Sequence, residues 1–180
     1  MKGSEAKEYI AQLKEEAQAS TFPKWEDFPT VDLYMDQVIE LVNRYISGYA
    51  AFKGAAAITP AMINNYVKAK TIPSPVKKRY SRIHLAYIIM VCVLKQTFSI
   101  AVIQKLVRAD ESEENVARIY NAFAQSQEEA LKSTADEIEK TAEKDGELLM
   151  SVLSAANVYR SIAEQLVYEN AKPKVVRKGE

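Results

Sequence analysis

Acidic residues are missing from residues 41–109, a stretch that carries eleven lysines and arginines. They are Arg44, Lys53, Lys68, Lys70, Lys77, Lys78, Arg79, Arg82, Lys95, Lys105 and Arg108. The 180-residue chain is nonetheless neutral, because residues 1–40 hold nine acids against four bases and residues 110–180 hold fifteen against nine. Charge segregated in this way sets up a local field that the overall balance hides, and such fields attract polyanions.

Other absences narrow the function classes. A single cysteine, Cys92, excludes a disulfide within the chain and a site built from several thiolates. It sits inside an apolar run and is expected as a buried structural thiol. The only histidine, His84, lies eight residues before it, which on a helix is about 12 Å along the axis and too far to share a proton. His84 is expected at the polar edge of the core. Five glycines scattered over the chain do not make a phosphate-cradling loop. The carboxylate pairs Glu113-Glu114 and Glu128-Glu129 fall on polar helix faces, where solvation accounts for them. No catalysis, metal or cofactor is expected from these residues. The longest apolar run, Leu85–Leu94, stops at Lys95 and has roughly half the length of a bilayer span, so no membrane partner is expected. The opening Met1-Lys2-Gly3-Ser4-Glu5 has no apolar segment of the kind a secretory signal carries, so the expected setting is reducing and cytoplasmic.

What remains has helical periodicity almost throughout. Tyr9, Ile10, Leu13 and Ala17 share one face of a first helix that Thr21-Phe22-Pro23 ends, and Trp25, Phe28 and Pro29 form an aromatic connector. A second helix is predicted over 32–49, with Met35, Val38, Ile39, Val42, Tyr45 and Ile46 on its apolar stripe. Gly48 and Gly54 loosen the chain around Ala55-Ala56-Ala57. Thr59-Pro60 opens a short helix, with Thr as the cap and Pro at the first position, where its missing N–H costs nothing. Pro73 and Pro75 force an extended excursion. Ser81 and Ser99 are placed to cap two further helices, the first carrying Leu85, Ile88, Ile89, Cys92 and Val93 inward. Two longer amphipathic helices follow. The first uses Val116, Ile119, Tyr120, Phe123, Leu131 and Ile138. The second uses Leu149, Val152, Leu153, Ala156, Tyr159, Ile162, Ala163 and Leu166. Lys144-Asp145-Gly146 is the expected break between them.

The chemistry concentrates in residues 59–108. On the short helix, Ile63, Tyr66 and Val67 belong to a core, whereas Ala61, Asn64, Asn65 and Lys68 face away from it. A small residue, two amides and a cation suit a helix entering a major groove, where an Asn amide pairs with adenine and Lys neutralises phosphate. A merely solvated face is the competing reading. Pro75-Val76-Lys77-Lys78-Arg79-Tyr80 adds three cations and a ring in one tight excursion. Strand alternation there turns Lys77 and Arg79 to one side and Lys78 and Tyr80 to the other. Cations on such a flap clamp a DNA backbone or probe a minor groove, and Tyr80 packs the flap onto the body; a basic solubility loop is the competing reading. Arg82 extends the patch from a helix N-terminus, where the dipole opposes a cation and a phosphate would justify it.

The run Thr59-Pro60-Ala61-Met62-Ile63-Asn64-Asn65-Tyr66-Val67-Lys68, with Pro73, Lys78-Arg79-Tyr80-Ser81 and His84-Leu85, resembles the winged helix-turn-helix of MerR-type transcription regulators over residues 59–106. With Asp32-Leu33-Tyr34-Met35-Asp36-Gln37 added, the chain also resembles, over residues 30–140, a family known mainly as a domain of unknown function from Gram-positive bacteria. The MerR resemblance implies that Asn64, Asn65 and Lys68 face bases and phosphates and that Tyr66, Arg79 and Arg82 contact backbone. The chain departs from that pattern at Asn64 (usually Arg), at Val67 (usually an acid) and at Lys70 (usually a helix-ending Gly).

The expected fold is therefore mainly α. An N-terminal helix and connector (1–30) precede a basic domain (31–110), a MerR-like winged helix-turn-helix with a small β-wing. A C-terminal antiparallel helical hairpin (111–170) and a frayed tail (171–180) follow. The expected function is duplex-DNA binding by a transcriptional regulator through a recognition helix (59–70) and a basic wing (73–80). A homodimer is expected through spare apolar surface of the C-terminal helices at Tyr120, Phe123 and Tyr159. The rivals are an adaptor that docks an acidic protein, and a small-molecule sensor with a pocket in the C-terminal helices.

Overall fold

A computed structural model describes residues 3–47, 49, 57–107, 112–142 and 148–171. The expected break at Lys144-Asp145-Gly146, the loosened stretch at Gly48 and 50–56, the cations Lys53 and Arg108, and the tail from residue 172 onward lie outside the described residues. The described chain is helical: α1 (Gly3–Ala19), α2 (Met35–Ser47), α3 (Pro60–Lys68), α4 (Arg82–Leu94), α5 (Ile100–Leu106), α6 (Glu113–Ala142) and α7 (Leu148–Asn170), with a 3-10 turn at Trp25–Asp27.

Helix α4 is the mast. Ten consecutive residues, His84 to Val93, are buried, so the helix is covered on every side rather than along a stripe. A helix apolar all round has only this way to be stable in water. Its neighbours α2 and α6 lie against it. They contribute Val38, Leu41 and Val42 from one side and Val116, Tyr120 and Ala124 from the other. The α4 thiol of Cys92 is buried with the rest, and burial pushes it up to about 12, so it stays protonated at neutral pH.

The N-terminal residues pack on the body. Helix α1 runs along α6, burying Ile10 and Ala17. Lys14 Nζ bridges Asp136 at 3.1 Å and Glu139 at 2.6 Å. Tyr9, expected on the inner face, is exposed. The connector is sewn to α6 by side chains of that helix: the Phe22 N–H donates to Glu128 (2.7 Å) and the Trp25 N–H to Asn121 (2.8 Å). The Phe22 ring meets Tyr49 and Phe123 edge-on, and Phe28 lies 4.8 Å from Tyr120.

Three expectations need correction. The β-wing does not form: among the described residues there is no strand, only the isolated antiparallel pairs Val76–Arg79 and Leu33–Tyr80. Pro73 and Pro75 have no N–H to add to a ladder on one side of the turn, and α4 begins at Arg82 on the other, so the pairing has no room to extend. The inward stripe of the last helix also fails. Leu149 is 71% exposed and Tyr159 68%, Leu153, Ile162 and Leu166 are exposed too, and Val167 is the buried residue of α7. Helices α6 and α7 are in contact, and Ala130, Thr134 and Ile138 of α6 together with Val152, Ala156 and Tyr159 of α7 line an open groove of about 440 Å³. Small residues on both helices leave that groove unfilled. Tyr120 and Phe123, expected as spare surface, are respectively fully buried and half-buried in the core.

The start of α4 carries a pH-sensitive contact. Ser81 precedes the helix, and its N–H donates to His84 Nδ1 at 3.0 Å, as a Glu at the third position would accept in a capping box. The other ring nitrogen lies 3.3 Å from the Ser74 carbonyl, so a neutral ring with the proton on Nε2 satisfies both. Burial lowers the His84 pKa, opposed by the Ser74 carbonyl and the charge of Asp32. Protonation would destroy the Nδ1 acceptor. The unfolded chain takes up this proton first as pH falls through the ordinary histidine value, so stability is complete above it, declines as pH drops through it, and levels below the folded pKa. Urea unfolding between pH 7.5 and 5.5 is expected to show this decline. His84→Gln keeps the acceptor without the titration and should flatten the curve over that window; an equal decline in the variant would place the titration elsewhere.

Candidate nucleic-acid interface

Helix α3 begins where the sequence indicates. Thr59 Oγ1 accepts from the Met62 N–H (3.4 Å) and Pro60 occupies the first turn. Ile63 is fully buried and Tyr66 nearly so, which fixes the rotation of the helix. The opposite face, Ala61, Asn64, Asn65 and Lys68, is exposed. Two amides on neighbouring helices hold the ends. Asn43 of α2 accepts from the Ile58 N–H at 2.8 Å and donates to its carbonyl at 3.4 Å. Gln104 of α5 donates to the Ala69 carbonyl (2.5 Å) and to Thr71 Oγ1 (3.2 Å). Neither amide is singled out by the sequence, where each is one polar residue on an amphipathic helix. The chain between α2 and α3 runs over residues 48–59, whereas a helix-turn-helix joins its helices by a turn of about 3–4 residues.

The C-terminus of α3 is a Schellman arrangement. The Thr71 N–H donates to the Tyr66 carbonyl and the Lys70 N–H to that of Val67, both at 2.9 Å. The residue between helix and turn must adopt left-handed backbone, normally a glycine's role. Here it is Lys70, with φ 55°.

The excursion after α3 closes in the same way. Val76 and Arg79 exchange backbone hydrogen bonds of 2.9 and 3.2 Å, and the two residues between them, Lys77 (φ 49°) and Lys78 (φ 62°), are both left-handed. This is the dihedral signature of a type I′ turn, which favours Asn-Gly. The expected alternation of Lys77 and Lys78 between faces is replaced by two cations at the turn tip. Tyr80 is buried as expected, and its N–H and carbonyl pair with Leu33 at 2.9 Å. Arg79 lies over the Tyr34 ring, 4.3 Å from its centroid, and donates to the Tyr34 hydroxyl at 2.7 Å. Among the described residues, Lys68, Lys70, Lys77, Lys78 and Arg79 form no ion pair with a carboxylate.

Two expected contact residues are used elsewhere. Tyr66 faces the core, and burial raises its hydroxyl pKa, so it offers no surface to a backbone. Arg82 is half-buried against the connector: its guanidinium donates to the Trp25 carbonyl at 2.7 Å and stacks 4.7 Å from the Trp25 ring. The opposed helix dipole is offset inside the chain, with no phosphate needed.

A family model described as "Domain of unknown function (DUF1836)" matches residues 23–123. The chain belongs to this family. No curated protein and no solved structure matches it. The DUF1836 segment begins at the connector, takes in α2 to α5 and ends in the first half of α6. It therefore contains every residue of the basic surface described above, while α1 and α7 lie outside it.

The three left-handed lysines give a stability test. A residue with a Cβ in this conformation costs roughly 1 kcal/mol or more, and glycine returns part of that as unfolded-state entropy. Lys70→Gly is expected to raise stability by about 0.5–1 kcal/mol, and the pair Lys77→Asn, Lys78→Gly by a similar amount. Both should raise the urea midpoint without altering its slope. A lower midpoint would mean that side-chain contacts of these lysines outweigh the backbone cost.

Proposed function

We propose that the protein binds duplex DNA through the exposed face of α3 and the Lys77-Lys78 turn, and that it acts as a transcriptional regulator. The observation that carries this reading is a buried-and-clamped helix whose free face holds Ala61, Asn64, Asn65 and Lys68 beside cations with no carboxylate partner. A helix held this rigidly presents its amides in fixed register, which base readout requires. Asn64 and Asn65 are the base-reading residues, and Ala61 permits close approach. Lys68, Lys70, Lys77, Lys78 and Arg79 neutralise phosphates, with Arg79 held in place by Tyr34.

Fluorescence anisotropy on a pool of duplex fragments, at two salt concentrations, tests it. Asn64→Ala with Asn65→Ala should cost about 1–3 kcal/mol on a preferred fragment and leave binding to other fragments unchanged. Lys68→Glu with Lys78→Glu should weaken all fragments alike and lower the salt dependence by about 2 in log–log slope. The stabilised Lys70→Gly variant should bind less tightly than the wild type. Absence of binding at low salt would leave the basic surface to an acidic protein partner, and the regulator reading would fall.

A homodimer through α7 goes with this reading. Leu149, Leu153, Tyr159, Ile162 and Leu166 are exposed on a single helix, and a helix apolar on several faces is stable when they are covered. Two copies related by a two-fold axis would present two α3 helices to two half-sites. Sedimentation should then give a dimer mass that dissociates on dilution, and Leu153→Glu with Ile162→Glu should give a monomer at all concentrations. A wild-type monomer mass independent of concentration would remove this part.

A further inference from the structure

Helices α4, α5 and α6 do not close completely on one another. Between them lies a cavity of about 260 Å³ whose described lining is apolar or aromatic throughout. Tyr87 and Met90 of α4, Val107 at the end of α5 and Val116 of α6 form the buried part of that lining. Leu106 and Ile119 stand at the mouth, 46% and 38% exposed. The wall that α5 supplies also serves α3. Gln104, two residues before Leu106, donates to the Ala69 carbonyl and to Thr71 Oγ1, where the Schellman bonds end α3. Helix α5 runs only over Ile100–Leu106, about two turns, so its cavity end and its clamp belong to one rigid piece.

We propose that this cavity binds a small uncharged apolar molecule of one or two rings, and that an occupant tightens the hold of α5 on the end of α3. Charge, size and packing carry it. No described lining residue is charged, so an ion entering the cavity would surrender its hydration with nothing to pair it. The Tyr87 hydroxyl is the one strong hydrogen-bonding group that a side chain brings to that lining, which matches a ligand with a single polar atom. An apolar cavity of about 150 Å³ stays dry and takes up benzene; this one is larger and has room for a second fused ring. A protein partner needs on the order of 800 Å² of surface, whereas the exposed lining here comes to Leu106 and Ile119. Filling a void gives its walls the packing contacts they lack, which holds α5, and with it the Gln104 clamp, more firmly. The inference stands apart from the DNA-binding reading, and neither of its readouts involves DNA.

Calorimetric titration of the full chain with indole, and separately with indole-3-carboxylate, tests the site. Indole should bind saturably, and the carboxylate should bind weaker by about tenfold or more, because its charge finds no partner. Ile119→Trp and Leu106→Trp each set a larger ring at an exposed position of the mouth. Each should weaken indole by about tenfold or more and leave the urea midpoint unchanged. They sit on different helices, so a folding failure in one leaves the other to decide. No saturable binding of indole, equal binding of the two compounds, or undiminished binding in the plugged variants overturns the site. Hydrogen exchange reads the link to α3. Saturating indole should slow exchange at the Lys70 and Thr71 amides by about fivefold, and Gln104→Ala should bind indole as before without that slowing. Exchange untouched by indole, or slowed equally in Gln104→Ala, overturns the link. All of these results leave the DNA-binding reading to its own test.

Discussion

Burial of α4 on all sides is the constraint from which the rest follows. Ten consecutive buried residues, several of them Ile, Leu or Val contributing roughly 1.5–3 kcal/mol each, require a cover on every face. Helix α2 supplies one wall and α6 another, with α1 and the connector laid along α6 in turn. A helix in this position has no room for an unpaired charge. Most polar groups at its start are accordingly engaged: His84 between Ser81 and Ser74, and one terminal nitrogen of Arg82 on the Trp25 carbonyl. The Arg82 Nε and the Tyr120 hydroxyl are buried without a partner among the described residues, the small residual cost of closing aromatic and cationic groups into one core.

That constraint also separates structure from surface within the basic third. Cations near the mast are absorbed by the fold, as Arg82 is. Those on the short elements around it stay in water: Lys68 and Lys70 at the end of α3, and Lys77 and Lys78 on the turn. The missing acids have a physical correlate here, because exposed lysines with no carboxylate partner keep their full field. Acids stand instead on α1, the connector, the first half of α2, α6 and α7; Lys14 pairs with Asp136 and Glu139, and Glu128 holds the Phe22 amide.

The helices α2, with its periodic apolar face, α4, as one unbroken apolar run, and α3, with its Thr59-Pro60 start, are legible in the sequence. Local capping chemistry and period decide those, and both are properties of neighbouring residues. The assignments that went astray depended on distant partners. Tyr66 was read both as core and as a backbone contact, and only the rotation of α3, set by Ile63, decides for the core. Arg82 reads locally as a phosphate contact because Trp25, fifty-seven residues away, is invisible to a local reading. The stripe of α7 has an inward period, yet whether it is covered depends on what lies across from it. Asn43 and Gln104, which fix the two ends of α3, carry no local signal, since an amide on a helix face gains its meaning from the backbone group opposite.

The left-handed lysines link these levels. Lys70, Lys77 and Lys78 stand where glycine or asparagine would fit with less strain, and they are the non-glycine residues with positive φ among the described residues. Strain of this kind persists where surrounding structure over-determines it, and at Lys70 the determinants are visible: the Schellman bonds to Tyr66 and Val67 and the Gln104 clamp on Ala69. A turn tip is also where a side chain has the fewest neighbours, so an ammonium group there projects furthest from the body. The fold thus accepts a backbone cost of roughly 1 kcal/mol per residue at the positions from which a charge reaches outward best. Core packing gives no reason for lysine at any of the three; the proposed phosphate contacts would supply one.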